Sequence, residues 1–430
     1  MPSRRKHRNA PPGPALEVHV DEIGARGDGI AVCEAGRLYI PYAAPGDRLR
    51  VKVGAPRGDG RAADIESILQ PAPTRQEPAC RHFGACGGCA LQHIRDDAVA
   101  DIKRDLLLRA LARKGLAAAP VGPTISAPPA TRRRVRLTYR RGGRTVLGFN
   151  RRASRQVLDI TDCPVVRPKI GEILGALRTL CASINALGAA GDLQITETET
   201  GLDLLLIPGR GREPDLAARE SAAAFADKHD LCRIAWQTGR DWEPIAERRP
   251  VIVSFAGVPV AIPPTAFLQP GKDGEDAIVE IITRTLEAAA PGRIADLYAG
   301  CGTFSLPAAQ FAPVLAVDGD AEMAAALRGA IAGRNVTVAA RDLQRDPMTA
   351  EALSEFEAVI FDPPRAGARP VAEALAASAV PNVIAVSCNP ASLARDLRIL
   401  VDGGYRIAQV TPIDQFTWSA HVEAVAVLRR

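Results

Sequence analysis

A multidomain fold is predicted. It has a small OB-like β-barrel at residues 14–70, a central α+β unit at 74–265, and a C-terminal α/β unit at 266–430 on a Rossmann-like, seven-stranded sheet. Three observations predict it. Short apolar runs punctuated by Gly24, Gly27, Gly29, Gly36 and Gly46 open the chain. Cysteines and arginines crowd its middle. From Asp276 onward, helical patterns alternate with apolar strand patterns.

Residues 1–13 are basic and carry proline and glycine, the composition of a disordered tail that either touches phosphates or only solubilises. No apolar core follows the basic start, so a secretory signal is not expected. No apolar run approaches the ~20 residues of a membrane helix, so no membrane partner is expected. Nine unevenly spaced cysteines fit a cytoplasmic protein better than a disulfide framework. Net charge is only +5, so any grip on nucleic acid must come from local patches. A monomer is expected.

Strand patterns at 16–20, 29–32, 37–40 and 47–53 suggest a five-stranded barrel, a shape often used for oligonucleotides. Next, Cys80, Cys86 and Cys89 follow a C-x5-C-x2-C spacing, with Cys163-Pro164 as a distant fourth. Thiolates at this density bind soft metals. The compact triplet, the remote partner and the proline favour iron–sulfur over zinc, which stays the alternative. Residues 96–116 carry a helical stripe of Ile102, Leu106, Leu107, Ala110 and Leu111 that ends at Gly115, read as core or linker. Between Thr131 and Gln156 there are ten arginines and no acid. Arg132, Arg133, Arg134 and Arg136 are the candidates for gripping RNA phosphates from a strand pair.

In the C-terminal unit, the first strand runs into Tyr298-Ala299-Gly300-Cys301-Gly302, a turn that lets backbone approach a nucleoside cofactor. Later strands end at Asp318, Asp342 and Asp362, and Asp318 is placed for ribose hydroxyls. A triphosphate loop is absent, and Ser305 occupies the third glycine position of a dinucleotide fingerprint. An adenosyl cofactor without phosphates fits best, which means S-adenosylmethionine. Cys388 ends an apolar strand at 383–386, before Asn389-Pro390, as a nucleophile at the sheet rim would.

The chain resembles the iron–sulfur, TRAM-domain RNA uracil-5-methyltransferases that act on ribosomal RNA. The resemblance is carried by 23–30 and 40–47 in the barrel, the four cysteines, Phe267-Leu268-Gln269, 296–304, Asp362-Pro363-Pro364-Arg365, Ser387-Cys388-Asn389-Pro390, Asp414-Gln415-Phe416 and His421-Val422-Glu423. It implies a [4Fe-4S] cluster on Cys80, Cys86, Cys89 and Cys163. It also implies cofactor contacts from Gln269, Tyr298, Asp318 and Asp362, Cys388 as nucleophile and Glu423 as base. Gly271 and Thr417, the latter followed by Trp418, depart from the family pattern of asparagine and proline. The expected substrate is a uridine in 23S ribosomal RNA. A transfer-RNA enzyme, or a non-catalytic iron–sulfur protein of ribosome assembly, is the alternative. A cysteine fits C5 chemistry because C5 of uracil becomes nucleophilic only after a thiolate adds to C6. A positive or hydrogen-bonding environment is expected to favour that thiolate.

Overall fold

The computed structural model describes residues 15–209 and 211–430; the basic tail at 1–13 lies outside them. Residues 15–70 form one six-stranded sheet, where the sequence suggested five strands. Its order is Ala15–His19, Arg48–Arg57, Gly60–Gln70, Gly36–Pro41, Asp28–Cys33, Glu22–Ile23. The two edge strands are one chain segment, interrupted only at Val20 and Asp21. There Val20 N donates to Asp47 O (2.9 Å) and Asp21 N to Ile30 O (2.8 Å), so the sheet curls back on itself. Period-2 alternation drives this. Leu49, Val51 and Val53 point inward between outward Arg48, Arg50 and Lys52. Gly29 sits where a Cβ would lie 2.7 Å from the Ala43 methyl, so only glycine permits the close approach.

The central sheet has seven strands, in the order Val157–Asp159, Val146–Asn150, Arg134–Arg140, Ala190–Thr198, Gly201–Pro208, Arg233–Thr238, Asp241–Glu247. Only the pairing of Gly201–Pro208 with Arg233–Thr238 is parallel, and helix Leu216–Lys228 makes the crossover. Helix Pro168–Ser183 buries Ile170, Leu174 and Leu177 in the same core.

The C-terminal sheet positions the site. Five parallel strands, Val336–Ala340, Val314–Asp318, Ile294–Leu297, Ala358–Phe361 and Asn382–Ser387, are followed by antiparallel Glu423–Arg429 and Arg406–Asp414. The expected seven strands become eight, because Ile125–Ser126 adds itself beside Ile413–Asp414. Helix Asp96–Ala112 also packs on this sheet, with Leu107 and Leu111 in its core, although the sequence placed that helix in the central unit. The strands are apolar on both faces because two cores sandwich them.

Candidate active site

At the carboxyl end of Ile294–Leu297 the chain turns sharply. Tyr298, Gly300 and Gly302 take φ of 64°, 56° and 96°. A Cβ on Gly302 would come within 2.5 Å of a Leu327 methyl. The turn is stitched to the neighbouring strand, where Asp318 accepts hydrogen bonds from Gly300 N and Asp320 N, each 2.7 Å. Asp342 lies against Gly319 and caps Gln344, whose side chain donates to the Tyr298 hydroxyl (2.9 Å). Tyr298, Gly300, Gly302, Asp318 and Asp342 therefore gather at one sheet end. Asp296 faces inward instead. It accepts from Ser305 Oγ at 2.5 Å, leaves one oxygen without a partner, and is pushed up to about 7 by burial and the Asp362 and Asp318 charges.

A chain of side chains crosses the next two strand ends. Gln269 Nε2 donates to Asp362 (2.9 Å), Gln415 Nε2 donates to Gln269 Oε1 (2.7 Å), and the same nitrogen donates to Glu423 Oε2 (2.8 Å). Glu423 is buried, with its second oxygen unpartnered. Burial and then the Asp362 charge push the Glu423 carboxyl well above its usual range, while Gln415 pulls the other way. Asp362 itself is pushed up to about 7 by burial. The two carboxyls are close enough that ionising one opposes ionising the other. The amide chain holds that pair in register. Gln415 fits only because Gly274 of helix Lys272–Ala289 has no side chain; a Cβ there would lie 2.5 Å from Gln415 Cβ. Gly271, the N-cap of that helix, likewise lies against Thr131, where a Cβ would meet Oγ1 at 3.2 Å.

Cys388 is half-buried, one residue past strand Asn382–Ser387. The antiparallel ladder ends with Ser387 paired to Ala424, so Cys388 and Glu423 are the next residues on the two adjacent strand ends, and the Glu423 charge acts on the thiol. Asn389 caps helix Pro390–Asp402 through Ala391 N (3.1 Å) and ties Arg365 O (2.9 Å), so the thiol sits at the positive end of a helix. The surroundings nevertheless oppose ionisation, contrary to the expectation from sequence. Burial, then the Glu423 and Asp362 charges, push the thiol up to about 11, and Arg365 offsets only part of this. Arg365 in turn meets His421 Nδ1 at 2.9 Å.

The arginine expectation needs correcting at Arg133 and Arg134, whose side chains are taken up by internal partners. Arg133 is buried, bonded to Glu275 (2.5 Å) and to Gln269 O (3.1 Å). Arg134 donates to the carbonyls of Ala266 and Thr265. Arg132 lies over the Phe416 ring, 6.0 Å from its centroid. Arg136 is exposed but paired with Asp192 at 2.7 Å. The local run lacks acids, yet strand pairing and helix packing bring acids from elsewhere. A different basic surface reaches Cys388. A groove of about 740 Å³ is lined by Arg26, Arg37 and Arg57 of the N-terminal unit, by Arg109 and Arg113 from helix Asp96–Ala112 and its end, and by Arg365, Cys388 and His421. Asp59, Asp28 and Glu22 also line it and pair with Arg37, Arg57 and Arg109, which leaves Arg26, Arg113 and Arg365 as the arginines without an acid partner among the described residues. Apart from Arg365 in its motif, these arginines are scattered singly, so no local run marked them.

Cys80, Cys86, Cys89 and Cys163 share a cavity of about 260 Å³ with Arg132, Phe416 and Thr417. Burial raises Cys86, Cys89 and Cys163, Cys89 to about 12, and charge on the neighbouring thiols adds to the rise. Among the described residues, no three metal-ligating side chains converge on a single ion position.

Residues 261–430 match the family described as tRNA (Uracil-5-)-methyltransferase. An uncharacterized RNA methyltransferase of Mesorhizobium japonicum is 44% identical over 415 residues, covering 95% of this chain and 97% of the relative. The 23S rRNA (uracil(1939)-C(5))-methyltransferase RlmD of Halomonas elongata is 32% identical over 435 residues, covering 96% of this chain and 89% of that protein. The crystal structure of Pyrococcus abyssi tRNA (uracil-54, C5)-methyltransferase in complex with S-adenosyl-L-homocysteine shares the fold. Its TM-score is 0.73 at 23% identity, over 96% of this chain and 100% of that one. Fold and relatives together define a methyltransferase that uses S-adenosylmethionine and acts on RNA. The chain belongs to the RNA (uracil-5-)-methyltransferase family and is an enzyme of that kind.

Proposed function

We propose that the enzyme methylates C5 of a uridine in large-subunit ribosomal RNA through a covalent Cys388–C6 adduct, with Glu423 as base. The observation that carries this is the strand pairing that brings the half-buried thiol of Cys388 and the buried, partly unpartnered carboxyl of Glu423 to adjacent strand ends. The Cys388 thiolate adds to C6 and leaves an enolate across C4–C5. S-adenosylmethionine supplies the electrophilic methyl group that C5 attacks. Glu423 takes the C5 proton, the C6–S bond breaks, and the thiolate is regenerated. Arg365 and the helix end oppose the burial that keeps the thiol protonated. Gln269, Tyr298, Gly300, Gly302, Asp318, Asp342 and Asp362 hold the cofactor and order the Glu423 side of the site.

The RNA follows the arginine groove, and the curled N-terminal sheet grips flanking nucleotides in the manner of a TRAM domain. The target base must leave its stack to reach Cys388. The ribosomal reading is supported by the Halomonas elongata relative, whose name places its action on 23S rRNA. The tRNA named for the Pyrococcus abyssi structure belongs to a 23% identical chain, which carries the fold alone.

A [4Fe-4S] cluster on Cys80, Cys86, Cys89 and Cys163 is part of this proposal. Four thiols around one cavity, three of them in a compact C-x5-C-x2-C run and the fourth followed by a proline, support this reading. Such a cluster would lie behind Phe416 and Thr417 as a structural element.

The test is trapping. RNA carrying 5-fluorouridine at the target cannot lose its C5 substituent as a proton. It is therefore expected to form an SDS-resistant adduct with wild-type enzyme and S-adenosylmethionine, and none with Cys388→Ala. No adduct from an active wild-type enzyme overturns the covalent mechanism. Mapping 5-methyluridine in cells lacking the protein decides the substrate, and loss from transfer RNA alone overturns the ribosomal reading.

A further inference from the structure

Loop 415–422 carries Gln415, Phe416 and His421 between two strands and ends at Glu423. Its position is set from outside the C-terminal unit. Lys103 occupies the core-facing stripe of helix Asp96–Ala112, four residues from both Val99 and Leu107, and is fully buried. Its ammonium bonds the Asp414 carboxylate at the start of the loop and the Phe416 carbonyl at 3.1 Å. Two turns earlier on that helix, about 10.5 Å along its axis, Asp96 accepts the Trp418 indole N–H at 2.9 Å. The Trp418 carbonyl accepts both Ala90 N and Leu91 N at 2.9 Å, directly after Cys89. Trp418 itself is buried, with φ of 57°.

A buried lysine–carboxylate pair is a poor way to gain stability, because desolvating both charges offsets their attraction. Burial opposes the charged form of Lys103, and Asp414 is what retains it. The pair's geometry, rather than its energy, is what the fold retains here. We propose that Lys103 and Trp418 are positioning residues. They clamp the loop that delivers Glu423 and couple that loop to the segment following the cysteines.

The proposal rests on the covalent mechanism above and predicts a particular failure. With the loop released, thiolate addition and methyl transfer continue while removal of the C5 proton stalls. The double variant Lys103→Met/Asp414→Leu removes both charges and leaves neither unpaired. It is expected to keep a Tm within a few degrees of wild type and a KM for S-adenosylmethionine within about twofold. Its kcat is expected to fall at least about tenfold, and the methylated RNA–protein adduct should accumulate on ordinary uridine RNA. Trp418→Phe keeps the ring, loses only the N–H to Asp96, and should show the same signature more weakly. Should the double variant not fold, Trp418→Phe decides by the same readouts. Wild-type turnover in the variants, or lost activity without adduct, overturns the clamp. A wild-type enzyme that forms no adduct even with 5-fluorouridine RNA overturns the mechanism instead.

Discussion

Cys388 and Glu423 lie at adjacent strand ends in a site that opposes ionising either of them. The thiol is pushed up to about 11 by burial and the two nearby carboxyls, so little thiolate exists near neutrality. Adduct formation with 5-fluorouridine RNA should therefore accelerate about tenfold per pH unit between pH 7 and 9. Arg365→Met should slow it at pH 7.5 and less so as pH rises; a flat profile contradicts this. Glu423→Gln should leave addition intact, cut turnover by about 10²–10⁴-fold and accumulate methylated adduct on a denaturing gel. Asp296 bears on stability. Its folded pKa, about 7, lies above the ordinary carboxyl value of 3.8. The stability it contributes is complete below the unfolded pKa and is lost as pH rises through about 7. Asp296→Asn can still accept from Ser305, so its Tm should fall less than that of wild type between pH 5 and 8.

Helix Lys272–Ala289 shows how an element serves the site through what it omits. Alanine at Gly274 would gain about 1 kcal/mol of helix propensity. Its Cβ would also press within 2.5 Å of Gln415 Cβ, an overpacking that costs about 1–3 kcal/mol. Gly274→Ala is thus expected to lower Tm and to reduce kcat more than the KM for S-adenosylmethionine, because Gln415 orients Glu423. A variant more stable than wild type with full activity would contradict this. The same element explains a miss in the sequence reading. Arg133 looked like an RNA contact, but Glu275 on this helix neutralises it.

At the scale of the whole molecule, the groove at Cys388 is assembled from the N-terminal unit, helix Asp96–Ala112 with its end, and the segments around Arg365, Cys388 and His421. Arg26 and Arg113 line it and are exposed. Arg26→Gln and Arg113→Gln should each weaken RNA binding with little sequence preference and reduce the slope of log K against log salt by about 1. Both should leave Tm unchanged. Arg133→Gln should instead lower Tm, because it breaks a buried pair and leaves Glu275 unsatisfied. Thermal melts and salt-dependent binding separate the two classes.

The sequence by itself determined the order of architectures, the turn at Tyr298–Gly302, the acids at the strand ends and the thiol at 388. Those features are written locally, in periodicity, glycine placement and contiguous motifs. Only the tertiary structure decided which arginines line the groove at Cys388, that Lys103 reaches Asp414, and that an amide chain links Asp362 to Glu423. Charge pairing depends on neighbours in space rather than in sequence, and Lys103 and Asp414 are 311 residues apart along the chain. The thiol was legible from its motif. Its reluctance to ionise was not, because burial and the charges of Glu423 and Asp362 come from other strands.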